Sequence, residues 1–367
     1  MSIVLVIILA IVAFGVLIAV HEAGHFFAAK AFGVQVNEFS LGMGPVLLKK
    51  QGKETLYSLR LLPFGGFCAM EGENGEESEG APEAAPAEIN PRAFYSKPAW
   101  QRAIILCAGA FMNFVLGLLL ILCIVPYANL NEPIIVDFME GCPYESAQGF
   151  QAGDRVYSVD GHRTYFVNDL TEYLSRGNES HRIVLIREGK RVVLENFRLT
   201  LREYTQADGS TVMKYGLYFA PREFGAGANL KYAWFESLDF VRLVWRSLGD
   251  LVTGRVGVRE LSGPVGVVDY VGETVSQATS PLEAWFSFFY IFALIAVNLA
   301  VMNLLPIPAL DGGRVFFLLL TWLIEAITRR KLNPKYEAYI HTAGFVLLMG
   351  LMVFVLLNDV IKIFVGR

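Results

Sequence analysis

Residues 3–20 form an unbroken apolar run without one charged side chain, and at residue 21 the run meets three ionisable groups within five positions. A run of that length can cross a bilayer core as a helix, and no folded water-soluble surface would leave it exposed. The segment therefore reads as a membrane span continuing to about residue 29. Near its end lies His21-Glu22-Ala23-Gly24-His25. On a helix the two histidines, four positions apart, project from one face and can share a metal ion, while Glu22 can take a proton from a metal-bound water. Such residues in such a pattern imply metal-dependent hydrolysis. Ionisable groups at membrane depth are costly unless paired, neutralised or turned toward a polar cavity, so the cluster also implies a functional site. The bland alternative is a helix end at which His21, Glu22 and His25 simply reach water. The spacing of the motif and the residues downstream of it weigh against that alternative.

The 367 residues leave room for more than one domain, and 54% of them are hydrophobic. With a mean hydropathy of +0.44, the chain falls among membrane proteins. A net charge of −4 without a basic tract argues against a nucleic-acid partner. Cys68, Cys107, Cys123 and Cys142 show no CxxC spacing, which suggests neither a disulfide framework nor a thiolate metal site. The first residues lack the basic start and small-residue cleavage site of a secretory signal, so the first span is expected to stay attached.

Lys30 is the first positive charge, which by the positive-inside rule places the N-terminus outside and the histidine motif toward the cytoplasmic half. Over residues 34–68, Gly42, Gly44, Gly65 and Gly66 punctuate short apolar or alternating pieces that read as strands and turns. Beside a membrane site such a sheet could offer an edge to an unwound substrate backbone; a packed cytoplasmic loop is the alternative. Residues 71–88, built of Glu, Gly, Ala and Pro without a positive charge, read as a solvated linker. Residues 90–102 mix aromatic and basic side chains as a cytoplasmic interface does. A second span is expected over about 103–125. Within it Asn113 either faces the site or bonds a neighbouring helix.

Beyond Pro126 the composition becomes that of a soluble domain. Residues 134–199 alternate short strands with turns around Gln151-Ala152-Gly153-Asp154-Arg155-Val156, with a helical piece at 167–174 and strands at 182–187 and 191–194. That order resembles a PDZ domain of the bacterial membrane-protease type, which binds extended peptides by strand addition. Two spans precede it, so it is expected outside the cytoplasm, with His162 and His181 on its surface. Residues 229–252 carry an apolar residue every three or four positions opposite a charged face, and predict a surface helix. The turn-rich Leu261-Ser262-Gly263-Pro264-Val265-Gly266 suggests no role by its spacing alone.

A third span begins near residue 283 and breaks at Asn303-Leu304-Leu305-Pro306-Ile307-Pro308-Ala309-Leu310-Asp311-Gly312-Gly313. Two prolines forbid continuous helix here, and irregular backbone at membrane depth needs a cavity or protein around it. Asp311 could supply the third ligand a two-histidine site needs, leaving a fourth position for water, or could simply start a helix. A basic cluster, Arg329, Arg330, Lys331 and Lys335, marks a cytoplasmic loop before the last span at about 339–361. His341, near the start of that span, is expected at the interface, because a fourth protein ligand would close the site to water.

These residues carry a resemblance to the bacterial site-2 proteases, the zinc intramembrane metalloproteases that include the regulator-of-sigma-E group. Its HExxH is matched by His21 to His25 and its NxxPxPxLDG by Asn303 to Gly312. The likeness extends to Phe39-Ser40-Leu41-Gly42-Met43-Gly44, residues 63–70 and residues 262–266. It implies a polytopic α-helical membrane protein with four transmembrane helices, a small membrane-associated β region and one extracytoplasmic PDZ domain (α+β). The expected divisions are the first span at 1–30, the β region at 31–70, a linker at 71–99, the second span at 100–126 and the PDZ domain at 127–202. An amphipathic helix and connections occupy 203–282, the third span 283–328, and the basic loop with the fourth span 329–367. The resemblance implies Zn2+ on His21, His25 and Asp311, Glu22 as the catalytic base, and Asn303 holding the substrate backbone. The implied partners are membrane lipid and single-span substrates, such as anti-sigma factors or signal-peptide remnants, with both chain ends outside a plasma or inner membrane. The best-known enterobacterial members carry two PDZ modules and one is found here, so no tandem gate is expected. The rival reading is a non-catalytic PDZ-bearing scaffold or a metal transporter. Against it, a transporter would show internal repeats, and a scaffold would not need Glu22, which is no ligand.

Overall fold

The apolar run 3–20 has no polar face to offer water, and it opens one long helix, α1, Ile3–Ala31. The computed structural model describes residues 3–73, 90–128, 131–175, 180–205, 210–257, 263–329 and 334–365. The expected acidic linker beyond residue 73 lies outside these, as do Arg330 and Lys331 of the expected basic cluster. After α1 come two strands, β1, Val36–Gln51, and β2, Leu56–Met70, and then α2, Ala99–Ile124. Strands β3, Asn131–Phe138, β4, Arg155–Val159, and β5, His162–Arg163, lead to the short helix α3, Val167–Ser175. Next are strands β6, His181–Arg187, β7, Lys190–Phe197, β8, Arg202–Thr205, β9, Thr211–Lys214, and β10, Leu217–Pro221. The chain then becomes helical: α4, Ala226–Val252, α5, Pro264–Gln277, α6, Pro281–Asn303, α7, Asp311–Thr328, and α8, Pro334–Val365.

Four of these helices are long and apolar enough to cross a membrane, over Leu5–Ala31, Ala99–Tyr127, Pro281–Asn303 and Tyr339–Asp359. They coincide with the four segments expected. The chain divides into two compact units, one made of Met1–Ile124 with Glu236–Arg367, the other of Val125–Phe235. In the first unit, Val6, Ala10 and Leu17 of α1 pack with Val271 and Val275 of α5 and with Phe288, Ile291, Phe292 and Ala296 of α6. Small residues let the helices approach closely. A methyl on Gly117 of α2 would lie 2.7 Å from Val297 Cγ2, and one on Gly24 of α1 only 2.3 Å from the Ala108 carbonyl oxygen of α2. The α1–α2 contact is therefore backbone against backbone.

Strands β1 and β2 are both bent, so that Leu41 of β1 faces Leu59 on one side and Gly66 on the other. Among the described residues, the 66–70 portion of β2 is thereby left as an edge. Thr55 Oγ1 donates to the Val36 carbonyl at 2.8 Å, and Glu54 accepts from Lys30 at 2.9 Å and from Arg92 at 2.8 Å. The end of α1, the β1–β2 turn and the segment before α2 are thus tied together.

The expected third division at 283–328 is two helices separated by a turn. Pro306 and Pro308 cannot donate backbone hydrogen bonds, which ends α6 at Asn303 and delays α7 to Asp311. At the start of α6, Ser280 accepts from the Glu283 N–H at 3.2 Å while Glu283 accepts from the Thr279 N–H at 2.8 Å. Together these bonds cap the start of the helix. The turn-rich segment around residue 264 opens α5, with Pro264 in its first turn. Its entry is capped from α8: buried Asp359 accepts from the Gly263 and Gly266 N–H groups at 3.0 Å.

In the second unit the strands run in the order β10-β3-β4-β6-β7, with β5 on β4 and every pairing antiparallel. Ile135, Phe150, Val156, Val159, Leu170, Ile183 and Leu185 form its core, with α3 contributing Leu170. The sheet is completed by β10, past the boundary expected at residue 202, because the β8–β9 hairpin intervenes before the chain returns to pair with β3. Arg187 forks onto buried Asp154 with two bonds of 2.7 Å. His162 is exposed as expected, but His181 is 2% exposed, its Nδ1 2.7 Å from Asp160. The reason is its place at the start of β6, where the alternation turns it inward.

Two outcomes test this packing. Gly24→Ala puts a methyl into the α1–α2 contact and should destabilise the protein by about 1–3 kcal/mol, seen as a lower thermal midpoint in detergent. The hydrogen bonds from Arg92 and Lys30 hold the Glu54 carboxyl at about 2. A depressed carboxyl stabilises above its unfolded value and loses that contribution as pH falls toward the folded one. Because the group is partly exposed, Glu54→Gln should cost only about 0.5 kcal/mol at pH 7. Wild type and variant should converge in denaturant titrations near pH 2.

Candidate metal centre

One helical turn separates His21 from His25, and α1 brings their rings to a centroid distance of 4.9 Å, nearly perpendicular at 84°. Their Nε2 atoms lie 3.3 Å apart. Asp311, the first residue of α7, points its Oδ2 at both, 3.2 Å from His21 Nε2 and 3.4 Å from His25 Nε2. Two membrane-span residues and one from the distant α6–α7 break thus meet at a point.

The break is shaped for this. Ala309 adopts a left-handed conformation with φ of 76°, and its N–H donates to His341 Nδ1 of α8 at 3.1 Å. His341 therefore holds the loop that leads to Asp311; it was expected to rest at the interface. Methyls on Gly312 and Gly313 would collide with the carbonyl oxygens of Leu304 and Ile307 at 2.3 and 2.1 Å, so only glycine lets the loop fold back against the start of α7. Asp311 opens that helix, with Leu310 as the capping position.

The three ligand atoms make a triangle with sides of 3.2, 3.3 and 3.4 Å. Zinc held tetrahedrally by nitrogen and oxygen at its usual distances places neighbouring ligand atoms about 3.3 Å apart. Asp311 Oδ2 is buried and has no hydrogen-bond partner, although two imidazole nitrogens are this near. Spacing and chemistry both fit a shared cation. The three are also the one such group among the described residues whose ligand atoms all lie within 4.8 Å of one another.

The remaining expected residues fall around the triangle. Glu22 is half-buried on the next position of α1. A methyl on Gly66 would be 3.1 Å from Glu22 Cγ, so this part of β2 lies directly beside it. Asn303 is half-buried at the end of α6, at the other end of the turn that delivers Asp311. From α2, His25 Nδ1 bonds the Ile105 carbonyl at 2.8 Å, and Asn113 lies 3.4 Å from His21 Nδ1. A methyl on Gly109 would be 2.4 Å from His25 Nε2. Sequence reasoning left Asn113 open and missed Ile105 and Gly109; their four-residue spacing on a helix was the available signal.

Comparison with known proteins shows the family of the chain. The profile of Peptidase family M50 matches residues 9–351. A Clostridium perfringens protein provisionally named a zinc metalloprotease is 34% identical over 357 residues, covering 97% of this chain and 98% of that one. A Fusobacterium nucleatum protein with the same provisional name is 33% identical over 371 residues, covering 97% and 98%. The regulator of sigma-W protease RasP of Bacillus subtilis is 28% identical over 426 residues, covering 96% and 98%. With four membrane-capable helices, the chain is an integral membrane protein belonging to Peptidase family M50, the site-2 proteases, and is a zinc metalloprotease.

Proposed function

We propose that His21, His25 and Asp311 hold the zinc and that Glu22 is the general base of an intramembrane endopeptidase. The triangle of ligand atoms carries this reading, since its sides match the edge of a zinc tetrahedron. Zinc held there supplies a Lewis acid for the substrate carbonyl and an acidified water. Glu22 directly follows His21, three positions before His25, and is not a corner of the triangle, so it is free to take a proton and return it to the leaving amine. Asn303 is assigned to the substrate backbone.

The substrate class is inferred from the surroundings. A transmembrane helix hides its carbonyls and must unwind before hydrolysis, which leaves backbone groups needing partners. The 66–70 edge of β2, beside Glu22, offers a row of them. Substrates are therefore single-span proteins already shortened by another protease, of the anti-sigma-factor or signal-peptide-remnant kind. The name of the Bacillus subtilis relative, a regulator of sigma-W protease, supports the first. The second unit, with its five-strand path from β10 to β7 and α3, is read as one PDZ domain. It lies outside the cytoplasm and excludes bulky intact ectodomains. Lys30 and the positive charges after α7 favour a topology with both chain ends outside.

The test is cleavage of a single-span substrate by purified, reconstituted protein. Glu22→Gln should keep its zinc and lose activity by about 10²- to 10⁴-fold. Asp311→Ala should lose zinc and activity together, measured by metal analysis after dialysis. Undiminished cleavage by Glu22→Gln would remove Glu22 as the base, and full zinc in Asp311→Ala would remove the third ligand.

A further inference from the structure

Ile105, Gly109 and Asn113 occur at four-residue intervals on α2 and so share one stripe of that helix, which faces the two histidines. Each contributes something different. The Ile105 carbonyl lies 2.8 Å from His25 Nδ1. A carbonyl can only accept, so His25 carries its ring proton on Nδ1 and keeps the Nε2 lone pair for the triangle. Gly109 contributes empty space: a methyl there would be 2.4 Å from His25 Nε2 and 2.7 Å from His21 Cε1. Asn113 is the third member and is 1% exposed.

The same logic applied to His21 requires an acceptor. With Nε2 turned to the triangle as a neutral ligand, Nδ1 bears the proton. The Asn113 amide is the group beside it, with Nδ2 3.4 Å from His21 Nδ1, while Asn113 Oδ1 is buried without a hydrogen-bond partner. A half-turn of the terminal amide exchanges its nitrogen and oxygen at no cost in shape. It places the orphaned oxygen toward the N–H that needs it and resolves both mismatches at once.

We propose that Asn113 is a positioning residue for the metal centre, its Oδ1 accepting from His21 Nδ1–H and fixing the ring with Nε2 toward the zinc. The stripe on α2 then orients both histidines, one through a backbone carbonyl and the other through a side-chain amide. This inference rests on the proposed ligand set, and its test separates the two.

The measurement is zinc affinity of the full-length protein in detergent, by competition with a fluorescent zinc chelator, with helical circular dichroism as the control for folding. Asn113→Leu keeps the shape and removes the acceptor, and should weaken zinc binding about 10- to 100-fold. Asn113→Asp keeps an acceptor and should bind at least as tightly as wild type. Asn113→Ser repeats the acceptor test without an added charge and should bind more tightly than Asn113→Leu. His21→Ala is the control for the ligand set and should lose the site. Wild-type affinity in Asn113→Leu, alongside loss in His21→Ala, would overturn the proposal and leave the ligand set standing. Equal weakening by Leu, Asp and Ser would also overturn it, since packing alone would then explain the effect. Wild-type affinity in His21→Ala would overturn the reading beneath it.

Discussion

The architecture of the first unit depends on how closely α1 and α2 approach at Gly24. There the backbone of one helix touches the backbone of the other, with the Ala108 carbonyl and Gly109 directly opposite. Membrane helices gain no hydrophobic drive from one another, so such contacts depend on small residues that bring many atoms into van der Waals range. At this point the effect is doubled. The same approach that packs the helices brings the carbonyl of Ile105 within 2.8 Å of His25 Nδ1, on the ring whose other nitrogen forms a corner of the triangle.

Elsewhere in the first unit, polar groups on different elements are paired in a consistent way. Asp359 caps α5 from another helix, His341 accepts from the Ala309 N–H, and Arg314 of α7 pairs with Glu73 at the end of the β region. The first two give backbone N–H groups a partner, and the third pairs two charges across separate elements. The break between α6 and α7 is supported from α8 and from the β region as well as by its own glycines.

Much of this was legible in the sequence because the decisive residues contradict their surroundings. Histidines and a glutamate at the end of a charge-free run, and an aspartate after two prolines, are conspicuous, and the four spans can be read from hydropathy alone. What was not legible depends on contacts between distant segments. Asn113 on its own reads as an ordinary interhelical amide; only the placement of α2 beside α1 gives it a partner. His341 looked like an interfacial residue because nothing near it in sequence reveals that Ala309 would present an N–H to it. His181 looked exposed because a polar residue at a strand start usually is. The domain boundary fell short of β10 because pairing across an intervening hairpin leaves no local pattern.

The three corners of the candidate metal centre are far apart along the chain: two lie on the first helix and the third comes after α6. During synthesis His21 and His25 are made as a bare pair, and α2, which packs beside them, and α6, which precedes Asp311 in the chain, are both made before Asp311 can close the triangle. A partly made chain therefore carries the conspicuous motif without the completed site. The triangle thus gains its third corner only once the helices between its corners in the chain have been made.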